Sequence, residues 1–159
     1  MGTRAGDLDP GVLIYLMRGR KFDTGRLEEL VDHCSGLLGI SGISNEMRRL
    51  HEAASSNAHA QLAIRMFCSS VARQAAAMIV ALDGLDMIVF TGGIGENDGA
   101  VRSAICGHLA WMGVKLDEGH NCANARSIND PASRRAVQVL VPQEDQRIAR
   151  HTWKIKSGS

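Results

Sequence analysis

The chain has 159 residues, the length of one ordinary domain, and its 45% hydrophobic and 22% charged residues exclude a fibrous or wholly disordered protein. Its 18 lysines and arginines balance 17 aspartates and glutamates to a formal charge of +1, which gives no broad positive field for nucleic acid or an anionic membrane. The sequence shows no leader pattern and no apolar run of transmembrane length, so we expect a cytoplasmic protein that binds neither.

The chain opens on Met-Gly-Thr-Arg, followed by a Gly-Asp turn and Asp-Pro, a cluster typical of an active-site loop rather than of an N-terminus. The dense apolar run from Gly11 to Arg18 predicts a short buried helix that ends at Gly19. A second helix is expected to begin at a cap, either Asp23 or Thr24, and to stop near Gly36.

Residues 35–44 alternate small and aliphatic side chains, a pattern that favours a loop which other backbone or a flat ligand can approach closely. The pattern fits a ligand wall and a tight helix connection equally well. Ser44 or Asn45 is then expected to cap a further helix. Residues 58–82 predict one long helix whose apolar face forms core, namely Leu62, Met66, Phe67, Val71, Ala75, Met78 and Ile79.

A buried strand followed by a glycine-rich turn is predicted next. Asp86 to Phe90 is a short apolar run, typical of a strand that is covered on both faces in a parallel sheet. The turn at residues 91–98 follows directly, and a helix with its apolar residues at helical spacing continues from Val101 to Met112 until Gly113 stops it.

The last part of the chain completes an α/β pattern. Residues 117–134 are polar and predict a surface loop, and Ala136 to Val141 predicts a second strand. Glu144 to Trp153 predicts a final helix, and residues 154–159 a disordered tail. We therefore expect a helix-rich α/β fold with a small parallel sheet.

Cysteine and histidine spacings favour no metal site. Cys34, Cys68, Cys106 and Cys122 form no C-x-x-C pair, so we expect reduced and mostly buried thiols rather than a zinc site or a disulfide framework. The six histidines show no H-x-x-x-H or H-x-H spacing, and surface or capping roles are expected for them.

The glycine-rich turn can carry chemistry because missing side chains let backbone N–H groups approach a phosphate. Gly92, Gly93 and Gly95 match neither G-x-G-x-x-G nor the P-loop pattern, so a nucleotide site and a close-packed turn stay equally open. After the second strand, Glu144 and Asp145 can either hold Mg²⁺ or cap the last helix.

Arg4 is the cation of the opening loop. Its guanidinium can brace a transferring phosphoryl group, or it can pair with Asp7 or Asp9. The residues alone do not separate these two roles.

Together, four stretches resemble the acetate and propionate kinase family, enzymes of the sugar kinase, Hsp70 and actin superfamily that transfer phosphate between ATP and a short carboxylate. The resemblance implies an incomplete ribonuclease H-like (actin-like ATPase) lobe over residues 1–153, the C-terminal portion only of such a kinase. The stretches occur in the family's order: residues 1–4 with 6–10, residues 41–44 running into 46–48, residues 91–97, and residues 144–145 with 148–150.

Matched position by position, the resemblance implies that Arg4 stabilises the transition state of the transferring phosphoryl group. It implies that Mg²⁺ is associated with Glu144, that the cofactors are ATP or ADP and Mg²⁺, and that the partners are nucleotide, a short-chain carboxylate and a second copy in a homodimer. It also implies an adenosine-contacting segment and a loop beside the nucleotide, formed by Glu46, Met47 and Arg48 and by Gly93, Ile94, Gly95, Glu96 and Asn97.

Three positions depart from the family pattern: Glu46 replaces a usual Asp, Asp98 a usual Ser, and Gln143 a usual Asn. Full-length members are also longer, and several of their catalytic residues lie in the portion without a counterpart here. Two hypotheses follow. The chain is either part of a carboxylate kinase that acts only with the remaining portion, or a non-catalytic module that binds nucleotide or pairs subunits.

Overall fold

The computed structural model describes residues 2–157, without the side chains of residues 144–146, 154 and 157. Contacts divide the chain into two compact units, residues up to Ala75 and residues from Ala76 onward, and the boundary falls inside helix α5. The elements are α1 (Pro10–Gly19), α2 (Thr24–Glu28), a π-helix (Glu29–His33), α3 (Gly36–Ser41), α4 (Met47–Ala53), α5 (Ala58–Ala81), β1 (Met87–Phe90), α6 (Gly92–Asn97), α7 (Gly99–His108), a 3₁₀ helix (Ala110–Met112), α8 (Glu118–Cys122), β2 (Ala136–Val139) and α9 (Glu144–Ser157).

Helix α1 has the predicted extent but not the predicted burial. Pro10 occupies its first turn, and Asp9 Oδ1 accepts a hydrogen bond from Gly11 N at 2.7 Å. None of its residues is buried, so the expectation of a buried helix is wrong. Hydrophobicity indicates which side chains favour burial, but it does not indicate which other part of the protein covers them. The large apolar residues exposed on α1 are Val12, Ile14, Tyr15 and Met17.

The glycine-rich segment after the π-helix is helical, and the expectation of a loop over residues 36–41 is wrong. Gly36 to Ser41 form α3, which ends at Gly42 in the left-handed conformation with φ of 69°. A Cβ atom at Gly39 would lie 2.6 Å from the Cys34 carbonyl oxygen, so only glycine fits there. The small residues therefore serve close helix packing at this point.

The cap of helix α4 lies one residue after Asn45 and two after Ser44, the two predicted caps. Its N-cap is Glu46, whose backbone N donates to Ser44 Oγ at 3.0 Å. Ser44 is held in turn by Ser41, whose Oγ donates to the Ser44 carbonyl oxygen at 3.1 Å. Met47 and Leu50 are only 5% and 0% exposed, and they anchor α4 in the core of the first unit.

The long helix predicted over residues 58–82 is confirmed as α5, and Asn57 Oδ1 caps it by accepting from Ala60 N at 3.0 Å. Its expected apolar face is wrong in part, because Leu62, Met66 and Met78 are 40%, 49% and 60% exposed. Small side chains allow closer packing and provide most of the buried face. The buried apolar residues of α5 are Ala60, Ala63, Cys68, Ala72 and Ile79.

The second unit contains the predicted parallel sheet. Strand β1 pairs in parallel with β2, in a register that runs from Met87 opposite Ala136 to Phe90 opposite Val139. The expectation that β1 is buried on both faces is wrong, because Met87 and Val89 are each 45% exposed while Phe90 is 9% exposed. In a sheet of two described strands, one face of β1 stays open.

The glycine-rich segment after β1 is also helical rather than a turn, since Gly92 to Asn97 form α6. Asp98 then caps α7, with Oδ1 accepting from Val101 N at 3.0 Å. The predicted stop is confirmed at Gly113, which adopts a left-handed φ of 83° after the 3₁₀ helix.

Residues 117–134 are more ordered than the expected surface loop. They contain α8, capped by Asp117, and Ile128 is fully buried, with its backbone N donating to the Val137 carbonyl oxygen at 3.0 Å. Helix α9 extends to Ser157, past the end expected at Trp153. None of the described helices is both long and apolar enough to cross a bilayer.

Candidate functional site

Arg102 on α7 forms hydrogen bonds with the glycine-rich helix α6 that follows β1, although no sequence motif indicated a role for this residue. Its side chain is fully buried. Nη1 donates to the carbonyl oxygens of Gly95 and Glu96 at 2.9 and 3.0 Å, at the C-terminal turn of α6. Nε donates to Asn121 Oδ1 at 2.8 Å, and Nη2 donates to Asn121 O and Asn124 Oδ1, both at 2.6 Å. One guanidinium therefore ties α6 to α8 and to the turn that follows it.

Burial lowers the pKa of the Arg102 guanidinium, and the nearby Asp98 carboxylate opposes that shift. The carbonyl and amide oxygens around the guanidinium compensate the buried charge. Cys106, one helical turn further along α7, is a buried thiol whose pKa burial raises to about 12. It is therefore protonated and unreactive at neutral pH.

The glycines of α6 have different surroundings. A Cβ atom at Gly95 would lie 3.4 Å from the Phe90 carbonyl carbon, an ordinary van der Waals contact, so α6 lies against the end of β1 at this residue. Apart from its chain neighbours and the backbone of its own helix, no described atom lies within 4 Å of such an atom at Gly93, so packing does not require a glycine there. Asn97 Nδ2 donates to Gly93 O at 2.9 Å and closes α6 on itself. The surface around Gly93 is open to a ligand.

An open cavity of about 630 Å³ lies beyond the carboxyl end of β2, where parallel sheets usually place their ligands. Among its described lining residues, the charged side chains are the Glu96 carboxylate and the Arg126 guanidinium. Amide side chains supply further donors and acceptors. The cavity is lined by Glu96, Asn97, Asn124, Arg126, Val139, Leu140, Val141 and Gln143.

The loop that carries Arg4 is held by backbone hydrogen bonds within the first unit. Ala5 N donates to the carbonyl oxygen of Val31, and Ser35 N to that of Thr3, each at 2.8 Å. The Arg4 side chain is exposed. It makes no hydrogen bond or ion pair with residues the structure describes, so the alternative of pairing with Asp7 or Asp9 is not observed.

The segment expected to contact adenosine presents side chains in different directions. Glu46 Oε2 lies 3.1 Å from Arg49 Nε, and Arg48 Nε lies 3.2 Å from Glu52 Oε1, both at exposed positions. Met47 is only 5% exposed, so its side chain packs in the core and is not accessible to a ligand. Of the three expected contacts, Glu46 and Arg48 have accessible side chains.

The predicted site residues fall into two groups. In the first unit, the ideal Cβ position of Gly2 lies 3.3 Å from Asn45, so the loop that carries Arg4 adjoins the start of α4 beside Glu46. In the second unit, residues 93–97 form most of α6, and Glu96 and Asn97 line the cavity. The Glu144 side chain lies outside the described part of the structure. The described residues contain no cluster of metal-binding side chains.

Comparison with known proteins gives one consistent family. Residues 1–150 match the profile of the Acetokinase family. The acetate kinase of Rhodopseudomonas palustris (strain TIE-1) is 42% identical over 160 residues, an alignment that covers 99% of this chain and 40% of the relative. The acetate kinase of Thermosynechococcus vestitus is 46% identical over 160 residues and is covered to 38%.

Solved structures agree with the sequence comparison. Porphyromonas gingivalis acetate kinase matches with a TM-score of 0.90 and 36% identity, over 98% of this chain and 40% of that one. A propionate kinase from Francisella tularensis subsp. tularensis SCHU S4 matches with a TM-score of 0.88 and 35% identity, over 94% and 38%. The predicted helix-rich lobe with a small parallel sheet is confirmed.

The chain spans about 40% of the length of the curated relatives that it matches. The resemblance read from the four stretches is confirmed by the family profile over almost the whole chain. By profile, by identity and by structure, the chain belongs to the acetokinase family.

Proposed function

We propose that this chain is the C-terminal, nucleotide-side part of an ATP-dependent short-chain carboxylate kinase. The observation that carries the proposal is the match to the Acetokinase profile over residues 1–150, which includes the loop of Arg4 and the glycine-rich helix α6. In the whole enzyme, a carboxylate oxygen of acetate attacks the γ-phosphorus of ATP as the bond to ADP breaks, and acetyl phosphate forms.

The cavity in the second unit suits part of a nucleotide. Its volume of about 630 Å³ lies within the usual range for small-molecule sites. The exposed Arg126 guanidinium supplies a positive charge for phosphate, and the side-chain amides of Asn97 and Asn124 can donate hydrogen bonds. The open surface at Gly93 lets a ligand approach the backbone of α6. These features support a nucleotide as the occupant.

Magnesium is the expected companion of the nucleotide, because it neutralises phosphate charge and takes one or two protein carboxylates. We assign Glu144 as the residue associated with it. Glu144 begins α9 directly after Gln143, which lines the cavity. A hard oxygen donor at that position fits the chemistry of the ion.

Arg4 is proposed as the catalytic arginine. An exposed guanidinium without a hydrogen-bond partner among the described residues can bind a transferring phosphoryl group without first breaking an existing ion pair. The backbone hydrogen bonds that hold Ala5 and Thr3 fix the loop on either side of it. This arrangement supports electrostatic stabilisation of the transition state.

Two departures from the family pattern are expected to alter nucleotide affinity. Glu46 is longer than the usual Asp, and its carboxylate is engaged by Arg49 at 3.1 Å, so contact with a ribose competes with that ion pair. Asp98 adds a negative charge directly after α6, although it also caps α7 through Val101. Substitution of Glu46 and Asp98 by the family's usual residues should tighten ADP binding.

The test is hydroxamate formation from acetate and ATP by this chain, alone and mixed with the N-terminal portion of a related acetate kinase. We expect activity only in the mixture, and Arg4→Ala should reduce it by about a thousandfold. Arg18→Ala, at an exposed arginine of α1, is the matched control and should leave the rate unchanged. A mixture that sediments as a complex but forms no hydroxamate contradicts the proposal.

A second candidate function is association with another copy, as in a homodimer. It is favoured by apolar side chains exposed in the second unit. Val80 and Leu82 near the end of α5 are 79% and 76% exposed, and Met87 and Val89 of β1 are each 45% exposed. Surface of this kind usually marks an interface.

Sedimentation tests the association. We expect a dimer for the wild-type chain and a monomer for Val80→Lys, whereas Ile43→Lys, at another exposed apolar position, stays dimeric. A wild-type chain that sediments as a monomer at micromolar concentration and above refutes this second function.

A further inference from the structure

We propose that Arg102 is a positioning residue for the cavity of the second unit: it fixes two of the cavity's walls, the end of α6 and the turn after α8. The inference rests on the proposed function in one respect only, namely that this cavity binds nucleotide. It concerns a residue that touches neither the cavity nor a ligand. Its own evidence is the hydrogen-bond geometry of the guanidinium.

The two walls come from separate parts of the chain and meet at Arg102. Glu96 lines the cavity, and its carbonyl oxygen accepts from Arg102 Nη1 at 3.0 Å. Asn124 also lines the cavity, and its Oδ1 accepts from Nη2 at 2.6 Å. Because both nitrogens belong to one planar group, the distance between the two walls is set by the guanidinium itself.

The hydrogen bonds from Arg102 stabilise an otherwise unfavourable backbone conformation at both contacts. Asn124 has a left-handed φ of 50°, a conformation with an energetic cost for any residue other than glycine, and the hydrogen bond from Arg102 holds its side chain in place. Helix α6 is short and contains Gly92, Gly93 and Gly95, residues with low helix propensity. The hydrogen bonds from Arg102 to its last carbonyl oxygens therefore stabilise a segment that would be weak alone.

A lysine cannot replace this arrangement. Its ammonium group is a compact charge with three donors, whereas Arg102 reaches acceptors on Gly95, Glu96, Asn121 and Asn124 through a rigid fork. Arg102→Lys keeps the charge near Asp98 but must release some of these acceptors. The variant therefore tests position rather than charge.

The alternative is that Arg102 only stabilises the fold. A purely structural arginine lowers the unfolding temperature on substitution, but it leaves the cavity unchanged in the molecules that remain folded. A positioning residue alters the cavity walls at temperatures where the variant is fully folded. Amide hydrogen exchange at the walls and ADP affinity distinguish these two roles.

The experiment compares the full chain with Arg102→Lys and Asn124→Gly, at a temperature where circular dichroism shows each to be folded. Asn124→Gly permits the positive φ and removes the acceptor for Arg102, but it also removes an amide that lines the cavity, so in this variant hydrogen exchange of residues 95–98 is the readout of wall position. We expect the dissociation constant for ADP, measured by calorimetry, to rise about tenfold in both variants. Exchange should become about tenfold faster in peptides that cover residues 95–98 and 121–126.

Two controls accompany these variants. Arg135→Lys changes another arginine of the second unit, whose Nε donates to Met112 O at 3.3 Å and which does not line the cavity. Its ADP affinity should stay within about twofold of wild type. Asn124→Asp keeps an acceptor oxygen for Arg102 and tolerates the left-handed backbone. It should retain the wild-type exchange rates at both walls.

Unchanged exchange at both walls in Arg102→Lys overturns the inference, as does unchanged ADP affinity when the wild-type chain binds ADP. If Arg102→Lys does not fold, exchange of residues 95–98 in Asn124→Gly decides, and an unchanged rate there overturns the inference. If the wild-type chain binds no ADP, nucleotide binding by this chain fails as a proposal, and the exchange rates alone decide whether Arg102 positions the walls.

Discussion

Asn121 should be among the most sensitive positions in the second unit, because its buried side chain makes three short hydrogen bonds and a longer one to Glu118 at 3.4 Å. Its Oδ1 accepts from Arg102 Nε at 2.8 Å, and its Nδ2 donates to Gly99 O at 2.9 Å and to Ser103 Oγ at 2.8 Å. At about 1 kcal/mol for each of these hydrogen bonds, Asn121→Ala should lower the free energy of unfolding by about 3 kcal/mol.

The isosteric variant Asn121→Asp separates the contribution of the accepting side-chain oxygen from that of the donating side-chain nitrogen. It keeps the oxygen that accepts from Arg102, but it places an acceptor against the Gly99 carbonyl oxygen in place of a donor. The repulsion there offsets the stronger contact with Arg102. We therefore expect a stability between those of the wild type and of Asn121→Ala.

Urea unfolding followed by tryptophan fluorescence measures these changes, since Trp111 and Trp153 both belong to the second unit. Asn97→Ala is the matched control, because Asn97 is exposed and its hydrogen bond to Gly93 O should contribute no more than about 0.5 kcal/mol. If Asn121→Ala costs no more than this control, the hydrogen bonds of Asn121 do not stabilise the unit as we argue.

Three further predictions concern capping, pH and thiol reactivity. Asp98→Ala should lower the free energy of unfolding by about 1 kcal/mol, and Asp98→Ser by a few tenths at most, because a serine side chain can also cap α7. Equal losses for the two variants in urea unfolding would show that the capping hydrogen bond does not stabilise the unit. The pKa of Cys106 is raised to about 12 from 9.0, so its contribution to stability is complete below pH 9 and is lost as pH rises towards 12. The wild type should therefore lose about 1 kcal/mol more than Cys106→Ala between about pH 8 and pH 10 in urea titrations, and parallel losses would contradict this. Glu29 Oε1 accepts a hydrogen bond from Cys34 Sγ at 3.5 Å, and this contact raises the pKa of the Cys34 thiol. Glu29→Gln should therefore speed alkylation of Cys34 roughly threefold near pH 8. An unchanged alkylation rate would contradict the contact.

Local signals in the sequence predicted several helix boundaries correctly. Asp23 caps α2, and Gly113 ends the helical segment after α7. The parallel pairing of β1 with β2 follows from two short apolar runs with a predicted helix between them. These features depend on residues close in sequence, or on a connection whose handedness and length are constrained. They could be inferred without the three-dimensional structure.

The helices at the two glycine-rich segments could not be inferred in the same way. Glycine disfavours a helix by about 1 kcal/mol relative to alanine, so local propensity predicts a loop at both α3 and α6. In α6 the opposing contribution is the pair of hydrogen bonds from Arg102 to the carbonyl oxygens of Gly95 and Glu96. A contact with a residue further along the chain therefore overrides the local preference.

Arg102 nevertheless left a signal in the sequence. It occupies the buried stripe of α7, with Ile105 and Cys106 three and four residues further along. A charged residue within an apolar stripe is rarely buried unless it is fully hydrogen-bonded. Its spacing from Ile105 and Cys106 is therefore the one signal that could have pointed to Arg102, and its acceptors on α6 and α8 could not be identified from the sequence.

The arginines of this chain show why charge alone does not identify a catalytic residue. Arg102 is buried and its nitrogens already donate to protein acceptors, so it can reach a phosphate only by breaking the contacts that shape the cavity. Arg4 is exposed, and its guanidinium makes no hydrogen bond to the described residues, so its donors remain available to a ligand. Arg126 lines the cavity and is also exposed. We therefore expect substitution of Arg4 to act on the rate of phosphoryl transfer, substitution of Arg126 on nucleotide binding directly, and substitution of Arg102 on the same binding through the position of the walls.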